Sequence, residues 1–275
     1  MLITSVSAKG APGVTTMVAA LASLWPAPVL VVDADPDGGD LLPGWTARWW
    51  IDGHVRADRG VVSFASDTRS QEDDSVPASA LAAHVQSVPD VTHVRLLAGV
   101  ASSQQARAVQ TGGWLRLAQA ARNLTDSARP DVLVDAGGLG SETPWPLLSH
   151  ADLVLLAVRP TLRHLRAASP QVARLREAVP GTRIALAVLA SPERRAQDMS
   201  SALDLDAEVV WPDDPYGARA FSDGLTPVHT PRQRPLLGAA RKTAQHLTGM
   251  TARELPDEPK PSAVTPHCQY EEGLA

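Results

Sequence analysis

The sequence contains a single cysteine, Cys268, in a polar stretch near its end. One cysteine can build neither a disulfide framework nor a thiolate metal site, which fits a reducing compartment. No apolar run reaches the roughly 18 residues that a membrane-spanning helix requires. The first residues, Met1–Val6, also lack the basic and apolar segments of a secretory signal. We therefore expect a cytoplasmic protein without stable membrane insertion.

An excess of positive charge is also absent. The chain carries 25 Lys and Arg residues against 30 Asp and Glu residues, a net charge of −5. This sum gives no general reason to expect the basic surface of a nucleic-acid binder. Apolar residues make up 44% of the 275 residues, which is ample for a packed core. Length alone allows one large α/β domain or two small ones.

Short apolar runs alternate along the chain with stretches of helical periodicity. This alternation predicts βαβ units and a doubly wound, mainly parallel α/β sheet in a single domain. The predicted strands are Leu2–Val6, Val29–Asp33, Val94–Ala98, Val132–Asp135, Leu153–Val158, Ile184–Leu189 and Glu208–Trp211. The predicted helices lie at 15–24, 78–87, 103–121, 162–178 and 235–250. We expect the domain to span residues 1–250, and the Pro-rich, polar residues 256–275 to form a disordered tail.

The first predicted strand is followed by the segment SAKGAPGVTT and then by an apolar helix. In this order, backbone N–H groups and the positive end of the helix dipole can hold phosphates. The hydroxyl of Thr15 stands where such loops hold Mg²⁺. An ordinary strand-to-helix turn with threonine caps fits the same residues, so both interpretations remain open at this point.

The same segment resembles the deviant Walker A loop of the ParA/MinD family, KGGxGK[ST][ST]. The residues that align with it are Lys9, Gly10, Ala11, Pro12, Gly13, Val14, Thr15 and Thr16. The early lysine is present as Lys9. The second lysine, which in the family neutralises the β- and γ-phosphates, is replaced by Val14. Ala11 replaces the second glycine, and Pro12 removes one possible N–H donor.

Further segments resemble the family in the family's order. VLVVDADPDGGDL resembles the second motif, in which a strand ends in Asp-x-Asp, and DVLVDAGGLG resembles the Walker B strand. ADLVLLAVRPTLRHLRAA and EVVWPDDPYGARAFSDGLTPV resemble the later strand with its helix and the closing segment. The resemblance covers about residues 1 to 250. It implies the fold of a P-loop NTPase.

The resemblance also implies roles for individual residues. Lys9 would reach across a dimer to the phosphates of the partner's nucleotide, and Thr15 would bind Mg²⁺. Asp33 would support Mg²⁺ through water, and Asp35 would position the attacking water. Asp135, at the end of an apolar strand, would stand near Mg²⁺ or the loop threonine, since a buried carboxylate without a partner is unfavourable.

Some of these residues also fit simpler structures. Asp33 and Asp35 could belong to a solvated turn. Pro212 and Asp213 lie in the segment that would border the base, but a surface turn fits there equally well. The sequence has Ala190 and Ser191 where family members often place an asparagine, so the base need not be adenine.

The resemblance implies a nucleotide-binding protein that uses ATP or ADP with Mg²⁺ and forms a homodimer. Because Val14 supplies no charge, we expect weak or absent ATP hydrolysis. The lysine-less loop together with the Asp-x-Asp…Gly-Asp second motif is most similar to the CpaE/TadZ and septum-site-determining branch. This resemblance implies a localisation or assembly factor with a partner in a secretion, pilus or partitioning machine. An active ParA-like ATPase for DNA or cargo partitioning and a nucleotide-free scaffold are the alternatives.

Two further segments bear on partners. Arg159, Arg163 and Arg166 are spaced to share a helix face, which suits a solvated surface or a site for DNA or lipid. Nonspecific DNA binding is a property of the family and therefore possible. The predicted helix 235–250 has an apolar stripe, which we expect to pack on the domain rather than to bind lipid.

Overall fold

The structure is a computed structural model that describes residues 1–10, 13–71, 76–127, 130–224 and 234–250. The predicted tail at 256–275 lies outside these residues, as do Ala11 and Pro12 of the predicted loop. Within the described part of the chain, no helix is long and apolar enough to cross a bilayer.

An eight-stranded sheet forms the centre of the domain. Its strands are β1 (Leu2–Ser7), β2 (Val29–Asp33), β3 (Gln86–Ser87), β4 (Val94–Leu97), β5 (Asp131–Gly138), β6 (Leu153–Val158), β7 (Arg183–Val188) and β8 (Ala207–Val210). The spatial order is β3-β4-β2-β5-β1-β6-β7-β8. Only β3 runs antiparallel to its neighbour. The prediction of a doubly wound, mainly parallel α/β sheet in a single domain is therefore confirmed.

Helices cover both faces of this sheet. They are α1 (Val14–Ser23), α2 (Ala47–Ile51), α3 (Val61–Asp67), α4 (Ser103–Ser127), α5 (Trp145–Ser149), α6 (Leu162–Ala178), α7 (Glu193–Leu203), α8 (Pro215–Ser222) and α9 (Pro235–Met250). Side chains of α1, α8 and α9 form one apolar layer with alternate strand residues such as Ile3, Val31 and Leu133. The opposite layer holds side chains of α3 to α7.

The predicted helix at 78–87 is wrong. A short 3-10 helix spans Ala78–Leu81, and Gln86 and Ser87 then pair with β4. The side-chain amide of Gln86 donates to the backbone oxygens of Arg56 and Arg59 and accepts from the N–H of Arg56. These long-range hydrogen bonds outweigh the local helix propensity of an alanine-rich segment.

The arrangement of strands determines where a ligand can bind. β1 lies between β5 and β6, and β5 lies between β1 and β2. The chain leaves β1 to form α1 on one face of the sheet, whereas α6 follows β6 on the other. In open sheets of this kind the ligand crevice lies at the carboxyl ends of the strands where the direction of winding changes. That position is the carboxyl end of β1.

Candidate nucleotide-binding site

The predicted phosphate loop connects β1 to α1. Gly13 precedes the helix with φ 106°, a left-handed conformation that residues with a side chain rarely adopt. Among the described residues no side chain caps the helix, and its first turn carries no acidic residue. The first N–H groups of a helix have no partner within the helix. The start of α1 is therefore a positive helix end with donors available to an anion.

Val14 is the first residue of α1, and its side chain is buried. It belongs to the same apolar layer as Ile3 and Met17. The backbone N–H of Val14 is placed to contribute to a phosphate site, whereas its side chain packs into the core. The position that carries a lysine in the family thus serves packing in this chain.

Thr15 and Asp135 come together beneath the loop. Asp135 is fully buried, and its Oδ1 accepts a hydrogen bond of 3.1 Å from the N–H of Gly137. Burial raises the pKa of Asp135 to about 6, although hydrogen bonding from the Thr15 hydroxyl acts to lower it. Oδ2 of Asp135 is buried without a hydrogen-bond partner among the described residues. This oxygen is available to a cation or a water molecule.

Asp33 stands beside Asp135, because the two residues pair in register on β2 and β5. Its Oδ2 accepts from the N–H of Leu41 at 3.1 Å, and its Oδ1 is buried without a partner in the described structure. A Cβ added at Gly39 would overlap the carboxylate, and one at Gly99 would come within 2.7 Å of its carboxyl carbon. The two glycines therefore allow the backbone to close around Asp33.

Asp35 is only partly buried and lies against the end of β5. A side chain at Gly137, where φ is 64°, would overlap the Asp35 carboxylate. Burial raises the pKa of Asp35, and the charges of Asp37 and Asp40 act in the same direction. Asp35 also raises the pKa values of Asp33 and Asp135 through its charge. The three carboxylates thus form one acidic group next to the start of α1.

The acidic group fits a Mg²⁺ ion that has other ligands as well. Burial, followed by the charge of Asp135, raises the pKa of Asp33 well above its usual range. A divalent cation would relieve this repulsion and give the two free oxygens a partner. No group of three or more His, Cys, Asp or Glu side chains in the described ranges is arranged to hold a metal by itself. Phosphate oxygens and water would have to complete the coordination.

Pro212 and Asp213 follow β8, at the same end of the sheet as the loop. Two strands, β6 and β7, separate β8 from β1, and strands lie about 4.8 Å apart. Their place beside a base remains a prediction. The next residue, Asp214, caps α8 by accepting from the N–H of Gly217 at 2.9 Å, and it forms an ion pair with Arg234.

Lys9 and Gly10 lie at the opposite end of the loop from α1. Lys9 is exposed and lines a cavity of about 610 Å³ together with Leu162, Arg163, Arg166 and Ala167 of α6. Sequence reasoning did not connect this part of α6 with the loop. Lys9 and the start of α6 come together because β1 and β6 are adjacent in the sheet, and no local sequence motif indicates this adjacency.

The grouping of Arg159, Arg163 and Arg166 on one helix face is corrected by the structure. Arg159 precedes the helix, which begins at Leu162. Only Arg163 and Arg166 lie on α6, within its first two turns.

Comparisons with known proteins identify the fold. No family model matches the chain, and neither does any curated protein. The MinD cell division protein of Aquifex aeolicus is 20% identical to this chain. The match covers 90% of this chain and 96% of that protein, with a TM-score of 0.66. A ParA family ATPase from Chlorobium tepidum TLS is 18% identical, and the match covers 89% of this chain and 98% of that protein, with a TM-score of 0.66.

A third solved structure contains a ligand. It is the septum site-determining protein MinD from Pyrococcus horikoshii OT3, complexed with Mg-ADP, which is 17% identical to this chain. The match covers 92% of this chain and 98% of that protein, with a TM-score of 0.67. These similarities extend over nearly the whole of each protein. The chain therefore has the fold of MinD and of the ParA-family ATPases.

Proposed function

We propose that this chain is a ParA/MinD-type P-loop protein that binds ATP or ADP with Mg²⁺ and acts as a nucleotide-gated, dimeric localisation or assembly factor in the cytoplasm. One juxtaposition supports this proposal above all others. The uncapped start of α1, which follows the left-handed Gly13, faces a pair of buried carboxylates that each retain a free oxygen. Donors for phosphate and acceptors for a divalent cation thus occupy the same end of the sheet.

The residues of this site have separate tasks in the proposal. The N–H groups from Gly13 to Thr16 bind the phosphate chain, and the Thr15 hydroxyl contacts Mg²⁺. Asp33 and Asp135 hold the water molecules of the cation through their free oxygens. The cation itself neutralises the charge of the phosphates. Asp35 is the candidate for positioning the water that attacks the terminal phosphate.

Hydrolysis is proposed to be slow or absent because the site has lost a cation. A hydrogen bond to a charged group contributes about 1.5–3 kcal/mol, so the missing lysine weakens nucleotide affinity by roughly ten- to hundredfold. Phosphoryl transfer depends almost entirely on positioning and on neutralising charge at the transferred group. The buried Val14 therefore lowers the rate of hydrolysis more than it lowers affinity.

The proposed gating depends on Lys9. This residue is exposed in the loop that follows β1, and it makes no ion pair with any described residue. In the proposed dimer it contacts the phosphates bound by the second copy, so that ATP joins the two chains. The partner is a component of a secretion, pilus or partitioning machine.

Light scattering coupled to size-exclusion chromatography tests this gating. The 29.1 kDa chain is expected to elute as a monomer without nucleotide and as a dimer with Mg-ATP. Lys9→Gln should abolish the dimer while each monomer still binds nucleotide. Lys242→Gln, an exposed lysine on α9, is the matched control and should dimerise normally. A dimer that forms equally well without nucleotide, or with Lys9→Gln, would exclude the gating.

A turnover assay separates the alternative functions. Steady-state release of phosphate that disappears in Asp35→Asn would favour an active ParA-like ATPase, which partitions DNA or other cargo. Retention of duplex DNA in the presence of Mg-ATP would point to DNA as that cargo. A chain that binds neither Mg-ATP nor Mg-ADP would be a nucleotide-free scaffold that has only the fold in common with these ATPases.

A further inference from the structure

Lys9 of the loop and the first turns of α6 line an open cationic cavity at the surface. The cavity has a volume of about 610 Å³, and the described residues that line it include three cations, Lys9, Arg163 and Arg166, but no acidic residue. This volume lies within the range of ligand pockets, about 300–1,000 Å³. All three cations are exposed, and none forms an ion pair with another described residue.

The position of the two arginines on α6 is electrostatically unfavourable without a ligand. The N-terminal end of a helix carries partial positive charge, which favours acidic residues and disfavours basic ones. The first turn of α6 nevertheless contains Arg163 and no acidic residue, and Arg166 follows one turn later. Lys9 adds a third positive charge from the loop after β1. An anion in the cavity would reverse this repulsion.

His164 shows that these charges converge. The residue is buried within α6, and its Nδ1 has no hydrogen-bond partner in the described part of the chain. Burial lowers the pKa of His164, and the charges of Arg163, Arg159 and Lys9 lower it further. Cations from the loop, from the end of β6 and from α6 therefore act on a single point.

The phosphate site itself lacks a cation from the helix side. The side chain of Val14 is directed into the apolar core, so the start of α1 offers N–H groups alone. A bound nucleotide would bring several negative charges to the loop that contains Lys9. Arg163 and Arg166 share a cavity with Lys9 of this loop.

We infer that Arg163 and Arg166 bind the phosphates of the nucleotide and supply the positive charge that Val14 does not. This inference rests on the proposed nucleotide binding and assigns to α6 a part of the phosphate site. Arginine suits the task because its guanidinium group always carries charge and can bind two phosphate oxygens at once. Arg163 and Arg166 would thus provide much of the nucleotide affinity of a chain whose phosphate loop lacks its second lysine.

Equilibrium binding of a fluorescent ATP analogue with Mg²⁺ tests the assignment. Arg163→Gln and Arg166→Gln should each weaken binding roughly tenfold or more, which corresponds to the loss of a charge-assisted hydrogen bond. Arg163→Lys should retain part of the affinity, since it keeps the charge and loses the two-pronged contact. Arg176→Gln is the control, because Arg176 lies on the same helix outside the cavity and pairs with Asp204 at the surface. Without ligand, the unfolding temperature of Arg163→Gln and Arg166→Gln should equal or slightly exceed that of the wild type, because each change removes one charge from the repelling group, so weaker binding in these variants cannot be attributed to loss of the fold.

The possible results separate this inference from the proposed function. Wild-type affinity in both glutamine variants, with the wild type itself binding nucleotide, would overturn the role of α6 alone. A wild type that binds no nucleotide would overturn both proposals. If the glutamine variants keep their nucleotide affinity but lose binding to duplex DNA or to an acidic polypeptide, the cavity serves a macromolecular partner and the inference is wrong. Reduced affinity in Arg163→Gln and Arg166→Gln, with a smaller reduction in Arg163→Lys and none in Arg176→Gln, supports it.

Discussion

Asp33 and Asp135 occupy the same register position on adjacent parallel strands, and each keeps one buried oxygen without a partner among the described residues. Two desolvated carboxylates side by side repel each other, and burial and their mutual charge raise the pKa of Asp33. Such an arrangement lowers the stability of the chain without a ligand. A divalent cation that binds together with a nucleotide would neutralise this repulsion and give both oxygens a partner.

The variant Asp135→Asn is expected to be more stable than the wild type and to bind nucleotide more weakly. The amide keeps the shape of the side chain and removes one negative charge, so the unfolding temperature without ligand should rise. Affinity for Mg-ATP should fall roughly ten- to hundredfold, as for the loss of a charged hydrogen-bond acceptor. Asp52→Asn, at an exposed position, should change neither quantity. Lower stability together with unchanged affinity in Asp135→Asn would contradict the site.

The pH dependence of stability should reveal the raised pKa of Asp135. This pKa is about 6 in the folded chain against an ordinary value of 3.8, so the folded chain holds a proton that the unfolded chain releases between these values. As pH rises through this window, the wild type should lose about 3 kcal/mol relative to Asp135→Asn, at ~1.4 kcal/mol per pKa unit. Unfolding by denaturant at several pH values measures the difference. A difference that stays constant would show that Asp135 has an ordinary pKa.

Mg²⁺ should bind only together with a nucleotide. The described residues provide no group of three carboxylate, histidine or cysteine ligands, so phosphate oxygens are needed to complete the coordination. In a thermal unfolding assay, MgCl₂ alone should leave the unfolding temperature unchanged. The nucleotide with Mg²⁺ should raise it more than the nucleotide with a chelator. A large increase with Mg²⁺ alone would indicate a different metal site.

Val14→Lys should restore affinity at some loss of stability. The lysine places a charge at the phosphates but removes an apolar side chain from the buried layer, so the unfolding temperature without ligand should fall. Affinity for Mg-ATP should rise roughly ten- to hundredfold, and turnover should become measurable if Asp35 is competent. Val14→Met is the uncharged control, with a stem of similar length. Equal affinity in the lysine and methionine variants would show that no phosphate lies near this position.

The helix α9 is not expected to anchor the chain to a membrane. Its apolar residues Leu236, Ala240, Ala244 and Leu247 are buried against the domain, and Trp211 donates a hydrogen bond of 3.0 Å to Thr243 of the same helix. Liposomes containing anionic lipid should therefore not retain the chain in co-sedimentation at low salt. Strong retention that disappears on deletion of residues 235–275 would contradict this expectation.

Much of the fold could be predicted because buried parallel strands are unbroken apolar runs. β2 and β6 have the predicted bounds, and so do α6 and α9. Short helices such as α2, α3 and α5 were missed, since five to seven residues carry too little periodicity to be recognised. The segment 78–87 was assigned wrongly because distant backbone groups hold Gln86 in a strand.

The acids of the site could be predicted from sequence for a similar reason. Asp33 and Asp135 each follow an apolar run in a strand, and the order of strands in such sheets brings the ends of these runs together. The glycines that surround Asp33 could not be predicted, because Gly39 and Gly99 approach it only in the folded chain. The cavity that Lys9 and Arg163 both line likewise depends on the adjacency of β1 and β6 rather than on a motif.

Isothermal titration of the whole chain with Mg-ATP and Mg-ADP tests nucleotide binding most directly. We predict saturable binding of one nucleotide per chain. Binding should be weakened in Gly13→Ala, because a residue with a side chain cannot adopt the left-handed start of α1 without strain. Gly53→Ala, at another position with positive φ but remote from the loop, is the matched control and should bind as the wild type does. No saturable binding of either nucleotide to the wild type, or equal affinity in Gly13→Ala, would contradict the assignment of the loop as a nucleotide site.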